Sequence, residues 1–182
     1  LLDDDKRYFV RAKLGQISST GDSEGKVVNF GSTQGIDESS IRAILSQFIG
    51  NINQVPPMYS ALKRNGTPLY KLARKGIEIE RSPRNVTIYE INFLDLKGEF
   101  VSLDVCCSKG TYIRTLVEDI GKSLRCGAHV VELRRTRFAN FDLSESQTYE
   151  QLLKLKEVNL ESLDSVILGA DEMLPSFESV NL

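Results

Sequence analysis

Residues 100–124 constrain the fold more than any other stretch of the chain. Phe100-Val101-Ser102-Leu103-Asp104-Val105-Cys106 alternates apolar and polar residues, the period of a half-buried strand. Ile113, Leu116, Val117, Ile120 and Leu124 then recur at three- and four-residue steps, the stripe of an amphipathic helix. Lys109-Gly110-Thr111 is therefore a strand-to-helix turn, with Gly110 supplying backbone freedom and Thr111 serving as the helix N-cap. Tyr112 and Arg114 fall in the first helical turn. A cation there is repelled by the helix dipole, so Arg114 is not placed for helix stability. It is either a surface arginine beside a core tyrosine or an arginine held to meet a carboxylate or phosphate.

The remaining elements follow by the same reading. Tyr8 to Leu14 alternates as a strand ended by Gly15, and Ser18 to Gly25 is a polar connection to a short strand, Lys26 to Phe30. Asp37-Glu38-Ser39-Ser40 opens a helix through Ile41, Ile44, Leu45 and Phe48, closed by Gly50. Asn51 to Pro57 reads as a breaker-rich connection. Met58 to Pro83 is the least regular part, with a short helix at Leu69, Leu72 and Ala73. Val86 to Leu94 is a strand, and Lys97-Gly98-Glu99 turns it back into the strand at Phe100. Val130 to Phe138 is another strand. Helices are expected over Ser146–Leu155 and Leu160–Leu168, then a loop at Met173-Leu174-Pro175. The mixture predicts an α+β fold, a mixed and largely antiparallel sheet with flanking helices.

A chain of 182 residues, 41% hydrophobic and 26% charged, suits one ordinary domain. No apolar run reaches membrane-spanning length, and Leu1 to Asp5 is no signal peptide, so the expected compartment is the cytoplasm. The abrupt start, without methionine, reads as a fragment or a processed chain. Three cysteines and one histidine make no convincing zinc site. Cys106 and Cys107 face opposite sides of one strand, and with Cys126 they read as reduced packing thiols. His129 has no paired nucleophile and reads as structural, hydrogen-bonded near a strand start.

Charge is segregated although the net is only −2. Residues 63–84 hold seven Lys/Arg against two Glu, and residues 109–137 seven against three acids. Residues 138–182 hold two basic against nine acidic residues. The first of these basic stretches belongs to a segment, 58–84, that interleaves Tyr59 and Tyr70 with Lys63, Arg64, Lys71, Arg74, Lys75, Arg81 and Arg84. A long irregular segment is either a solvated insertion or functional. Aromatic faces that stack on bases beside cations that meet phosphates are the chemistry of RNA binding.

The block Cys107-Ser108-Lys109-Gly110-Thr111-Tyr112-Ile113-Arg114-Thr115 resembles the central motif of the TruB family of tRNA pseudouridine synthases. Similar blocks follow the family order along nearly all of the chain. They are Asp5-Lys6-Arg7-Tyr8; Leu14-Gly15-Gln16 with Thr20, Asp22 and Gly25; Val55-Pro56-Pro57-Met58-Tyr59-Ser60-Ala61-Leu62-Lys63; and Gly127-Ala128-His129-Val130-Val131-Glu132-Leu133-Arg134-Arg135. The resemblance implies the catalytic-domain fold of these synthases over residues 1–176. Residues 58–84 would be the inserted thumb that clamps the tRNA T-stem loop, and 177–182 the start of a linker or further domain. It implies that Tyr8 stacks on the flipped uracil and takes the C5 proton, although a core tyrosine has the same sequence signature. Arg114 would pair with the catalytic aspartate, and Asp22 would be a second acid in that network or simply a turn residue. Tyr112 and Leu133 would line the pocket, and Tyr59, Lys63, Arg64, Tyr70, Arg74 and Lys109 would contact RNA. The family's catalytic aspartate lies in a Gly/Leu/Asp/Pro-rich motif upstream of the Lys-Arg-Tyr block, and this chain opens after it. The expected activity is isomerisation of a T-loop uridine of tRNA, by a monomer without cofactor or metal, and the 182 residues alone are expected to be inactive. The rival expectations are a non-catalytic tRNA-binding module, a guide-RNA-dependent rRNA pseudouridine synthase and, weakest, a small-molecule enzyme built on Asp22 and Arg114.

Overall fold

The computed structural model describes residues 4–169. The chain runs through β1 (Lys6–Leu14), β2 (Gln16–Ser18), β3 (Val27–Asn29), α1 (Glu38–Leu45) and β4 (Gly50–Gln54). The insertion carries β5 (Lys63–Arg64), β6 (Thr67–Pro68) and α2 (Leu69–Ala73). After it come β7 (Arg84–Lys97), β8 (Phe100–Cys107), α3 (Ile113–Ser123), β9 (Ala128–Phe138), β10 (Phe141–Asp142) and α4 (Tyr149–Val158). Six of the strands form one antiparallel sheet in the order β10-β9-β1-β8-β7-β4. The α+β architecture read from the sequence is the one observed.

Alternation in β1 and β8 sorts their side chains onto two faces. Val10, Ala12 and Leu14 sit opposite or beside Val101, Leu103 and Val105 on one face, all buried. Helices α1 and α3 cover that face with Ile41, Leu45, Ile113, Leu116, Val117 and Ile120. Each such side chain withdrawn from water contributes about 1.5–3 kcal/mol. The opposite face is polar. There Arg7 grips Asp104 through Nε and Nη2 at 2.9 and 2.6 Å, and reaches Glu90 at 2.9 Å. The guanidinium holds the Asp104 carboxyl below the usual carboxylate range.

Several boundaries differ from the sequence reading. Asn51 to Pro57 is not a plain connection: Gly50–Gln54 is an edge strand paired with β7. Its Gly-Asn-Ile-Asn-Gln sequence has no strand pattern, so the neighbouring ladder imposes the conformation. Gln16–Ser18 is likewise a strand, paired with the exposed β3 in a separate two-stranded ribbon. The α-helix opened by Asp37 ends at Leu45, and Ser46–Phe48 is a 3-10 turn. Thr111 is not the N-cap of α3. Tyr112 occupies the cap position without a side-chain cap, while Thr111 Oγ1 donates to the Ser108 carbonyl at 2.9 Å. Thr148 caps α4, and Glu161–Val166 is 3-10 rather than α-helical. The expected loop at Met173-Leu174-Pro175 and residues 177–182 lie outside the described residues.

Candidate active site

The site is built where β8 hands over to α3. Gly110, at φ +80°, turns the chain there. Ser108 is locked to β7: its N–H donates to the Thr87 carbonyl and its Oγ accepts from the Thr87 N–H, both at 2.9 Å. Gln54, at the end of β4, accepts from the Tyr112 N–H at 2.7 Å and donates to the Tyr112 carbonyl at 3.1 Å. The first turn of α3 is thus fastened before any of its side chains act.

Arg114, in that turn, reaches back across the loop that follows β2. Its Nη1 donates to Asp22 Oδ2 and to the Thr20 carbonyl, each at 2.9 Å. Its Nη2 donates to the Tyr59 carbonyl at 2.6 Å. Asp22 uses its other oxygen to accept from Thr20 Oγ1 and from the Glu24 N–H. Both readings of Asp22 therefore hold in the geometry: it closes a turn and pairs with the arginine. Gly21, at φ +76°, lets this loop lie against α3, because a Cβ there would stand 3.2 Å from the Arg114 Cβ. The Gly21 carbonyl accepts from the Val130 N–H at 3.0 Å, which docks the loop on β9. One turn further along α3, burial pushes the Glu118 carboxyl up.

A guanidinium has five N–H donors. Three are used by Asp22, Thr20 and Tyr59, which leaves the Nε N–H and one on Nη2 without a partner among the described residues. Two guanidinium donors left open in this way can serve a carboxylate or phosphate.

Tyr8 stands at the other side of the handover. Lys6 pairs with Cys107, so the start of β1 and the β8–α3 turn share one end of the sheet. Tyr8 is half-buried against the core and faces Arg135 on β9, while Leu133 faces Val10 two residues away. Leu133 is 44% exposed, so this part of an otherwise buried face stays open. Burial pushes the Tyr8 phenol up, and the nearby Arg135 charge acts in the opposite direction. Tyr112 is half-buried at the helix start, and Lys109 is exposed in the turn.

The insertion is only partly regular. Lys63 and Arg64 lie on the β5–β6 hairpin, and Leu69 anchors α2 by burying itself. Arg74 stacks over the Tyr70 ring at 5.5 Å. The returning arm is tied down by Arg81, which donates to the Pro56 carbonyl at 3.3 Å and meets Glu78 at 3.1 Å. Arg64 donates to the Glu80 carbonyl. Arg114, Asp22 and Tyr59 are thus brought together; Tyr8 and Leu133 lie near each other on neighbouring strands; Lys63, Arg64, Tyr70 and Arg74 lie within the insertion. Sequence reasoning missed Gln54 and gave Thr20 and Arg135 no role of their own, because their contacts join segments far apart in the chain. His129 is buried in β9, and its Nδ1, expected to be hydrogen-bonded, lacks a partner among the described residues; burial pushes its pKa down. Among the described residues no group of three or more His, Cys, Asp or Glu is placed to hold a metal ion. None of their helices is long and apolar enough to cross a membrane.

Residues 1–113 match the family model for the N-terminal domain of TruB family pseudouridylate synthases, and residues 114–175 that for the tRNA pseudouridylate synthase B C-terminal domain. tRNA pseudouridine synthase B of Shewanella sp. (strain MR-7) is 48% identical over 189 residues, an alignment that takes in 100% of this chain and 59% of that protein. The namesake of Nitrosococcus oceani is 47% identical over 182 residues, again 100% and 59%. The chain therefore spans about three fifths of the length of these relatives. Among solved structures, a Cbf5-Nop10-Gar1 complex superposes with a TM-score of 0.70 at 27% identity, covering 96% of this chain and 44% of the other. An H/ACA RNP bound to a substrate RNA containing 2'-deoxyuridine shares the fold, with a TM-score of 0.65 at 23% identity over 96% and 43%. A family match over more than half of the chain, set on this strand-turn-helix site, means that the chain belongs to the TruB family of pseudouridylate synthases.

Proposed function

We propose that this chain is the greater part of the catalytic domain of an enzyme that isomerises a uridine in the tRNA T loop to pseudouridine. The observation that carries the reading is Arg114, fixed through three hydrogen bonds with two N–H donors left open among the described residues. The reaction breaks the N1–C1′ bond, turns the uracil and forms a C5–C1′ bond; a proton leaves C5 and N1 gains one. A carboxylate acting at the ribose must stay ionised, and a bidentate guanidinium stabilises that form. In this family the carboxylate comes from a Gly/Leu/Asp/Pro motif, which no stretch of the 182 residues matches.

Tyr8 and Leu133 form the open wall on which a flipped base would lie. Flipping costs a few kcal/mol, and stacking on an aromatic ring returns about 1–3 kcal/mol. Burial keeps the Tyr8 phenol protonated on balance, and the Arg135 charge beside it works against that shift, as a cation near a group that takes the C5 proton would. Tyr112 helps to keep water from the sugar. Lys63, Arg64, Arg74 and Lys109 would meet phosphates, and Tyr59 and Tyr70 bases, as the insertion over residues 58–84 closes on the T-stem loop. The same reading places the catalytic domain over 1–176, acting as a monomer in the cytoplasm without metal or organic cofactor. The long basic insertion and the higher identity to tRNA synthases than to the Cbf5 chain favour it over a guide-RNA-dependent enzyme.

The test uses a polypeptide that carries this chain together with the Gly/Leu/Asp/Pro motif. It should release tritium from [5-³H]uridine in a T-arm hairpin. Arg114→Lys should bind the hairpin and melt normally, yet lose about a hundredfold or more in rate, since lysine has no fork. Hairpin binding without release by the wild type would make the protein a binding module instead.

A further inference from the structure

Gln54 is 2% exposed, and both ends of its amide are satisfied by the main chain of one residue, Tyr112, 58 positions away. It thereby imitates a neighbouring strand across a gap where β4 has ended. The Tyr112 carbonyl that receives Gln54 Nε2 also accepts the first helical bond of α3, from the Leu116 N–H at 3.0 Å. Gln54 thus satisfies the N–H of the cap residue itself, one of the orphan donors at the helix start, and pins that residue although its own side chain caps nothing. Two residues further on is Arg114. Five residues beyond Gln54, past Pro56 and Pro57, is the Tyr59 carbonyl that Arg114 Nη2 holds at 2.6 Å. A closed ring results: Gln54 side chain, Tyr112 main chain, Arg114 side chain, Tyr59 carbonyl, and back through two prolines whose φ is fixed.

We infer that Gln54 is a positioning residue for Arg114: it sets where the open Nε edge points and couples that direction to the root of the RNA-clamping insertion. This deepens the isomerase reading and rests on it. The site needs one donor and one acceptor on a planar group of this length. Glutamine offers both, leucine neither, and an ionised glutamate only the acceptor, facing a carbonyl it would repel.

The experiment compares Gln54→Leu and Gln54→Glu with the wild type in the polypeptide that also carries the upstream motif. Thermal melts serve as the control for folding. Both variants should lose about ten- to a hundredfold in kcat, with KM for the T-arm hairpin within about threefold, because a displaced guanidinium damages chemistry more than binding. The activity of Gln54→Glu relative to wild type should recover as the pH is lowered from about 8.5 to about 6, since a protonated carboxyl restores the donor to the Tyr112 carbonyl. In an Arg114→Lys background, Gln54→Leu should cost little more, as its effect passes through the arginine. A kcat for Gln54→Leu within about twofold of wild type overturns the inference. So does a change confined to KM, a Gln54→Glu deficit equal at both pH values, or full additivity with Arg114→Lys. Should Gln54→Leu fail to fold, the pH response of Gln54→Glu decides. If the wild type does not isomerise uridine, the functional reading fails separately. Nitrogen-15 NMR of the Arg114 Nε–H then decides: faster exchange in Gln54→Leu supports the coupling, and unchanged exchange overturns it.

Discussion

Arg114 is a cation at the positive end of a helix, a position that costs rather than stabilises. Asp22 and two backbone carbonyls offset that cost, and the pair sits half-screened, each side chain 22% exposed. Tyr8 presents the complementary case of a residue whose sequence pattern fits two roles. Its ring packs on the core while its hydroxyl faces Arg135, so Tyr8→Phe separates the two. We expect Tyr8→Phe to keep its melting temperature and hairpin affinity. It should lose tritium release by about a hundred- to ten-thousandfold, the usual worth of a proton-transfer group. Release at the wild-type rate would leave Tyr8 as a packing residue. Asp22 alone reads equally as a turn acid, its link to Arg114 coming from the family resemblance, but Arg114 was legible in the sequence as a residue meeting an anion because its helix position is unfavourable. Gln54 was not, because its partner is main chain, and main-chain bonding leaves no mark on the residue that receives it.

Among the elements, β8 and α3 could be read almost to the residue, since period-two and period-3.6 patterns meet at Gly110. Gly50–Gln54 and Gln16–Ser18 could not: their strand character comes from the neighbours they pair with. The cap of α3 was misassigned for the same reason, as Thr111 satisfies Ser108 instead. A tight approach between elements carries its own test. Gly121 on α3 faces the Gly127–Ala128 backbone at the start of β9, and its carbonyl accepts from Gly127 N–H at 2.9 Å. A Cβ there would fall inside the Ala128 backbone. Although alanine is the better helix former, Gly121→Ala should destabilise the fold by about 1–3 kcal/mol, measured by urea unfolding. A neutral or stabilising result would mean that α3 can lift from β9 freely.

For the whole molecule, the near-neutral net charge conceals a basic middle and an acidic 138–182 segment. If the insertion neutralises phosphates, replacing residues 61–80 by a short Gly/Ser link should weaken T-arm binding. It should also flatten the salt dependence of log affinity by about two to four in slope, at close to one for each phosphate left unneutralised. An unchanged slope would assign the clamp elsewhere. The sheet order has a further consequence, for synthesis. Strand β1 ends at Leu14, yet its two partners begin at Phe100 and Ala128. At about 5–20 residues per second, the nascent chain holds its future central strand unpaired for roughly 5–25 s. Lys6, Arg7, Arg11 and Lys13 give that waiting strand the positive charge that discourages edge-to-edge association. The cations that meet Asp104 and Phe100 in the folded sheet would thus also serve while the chain is still being made.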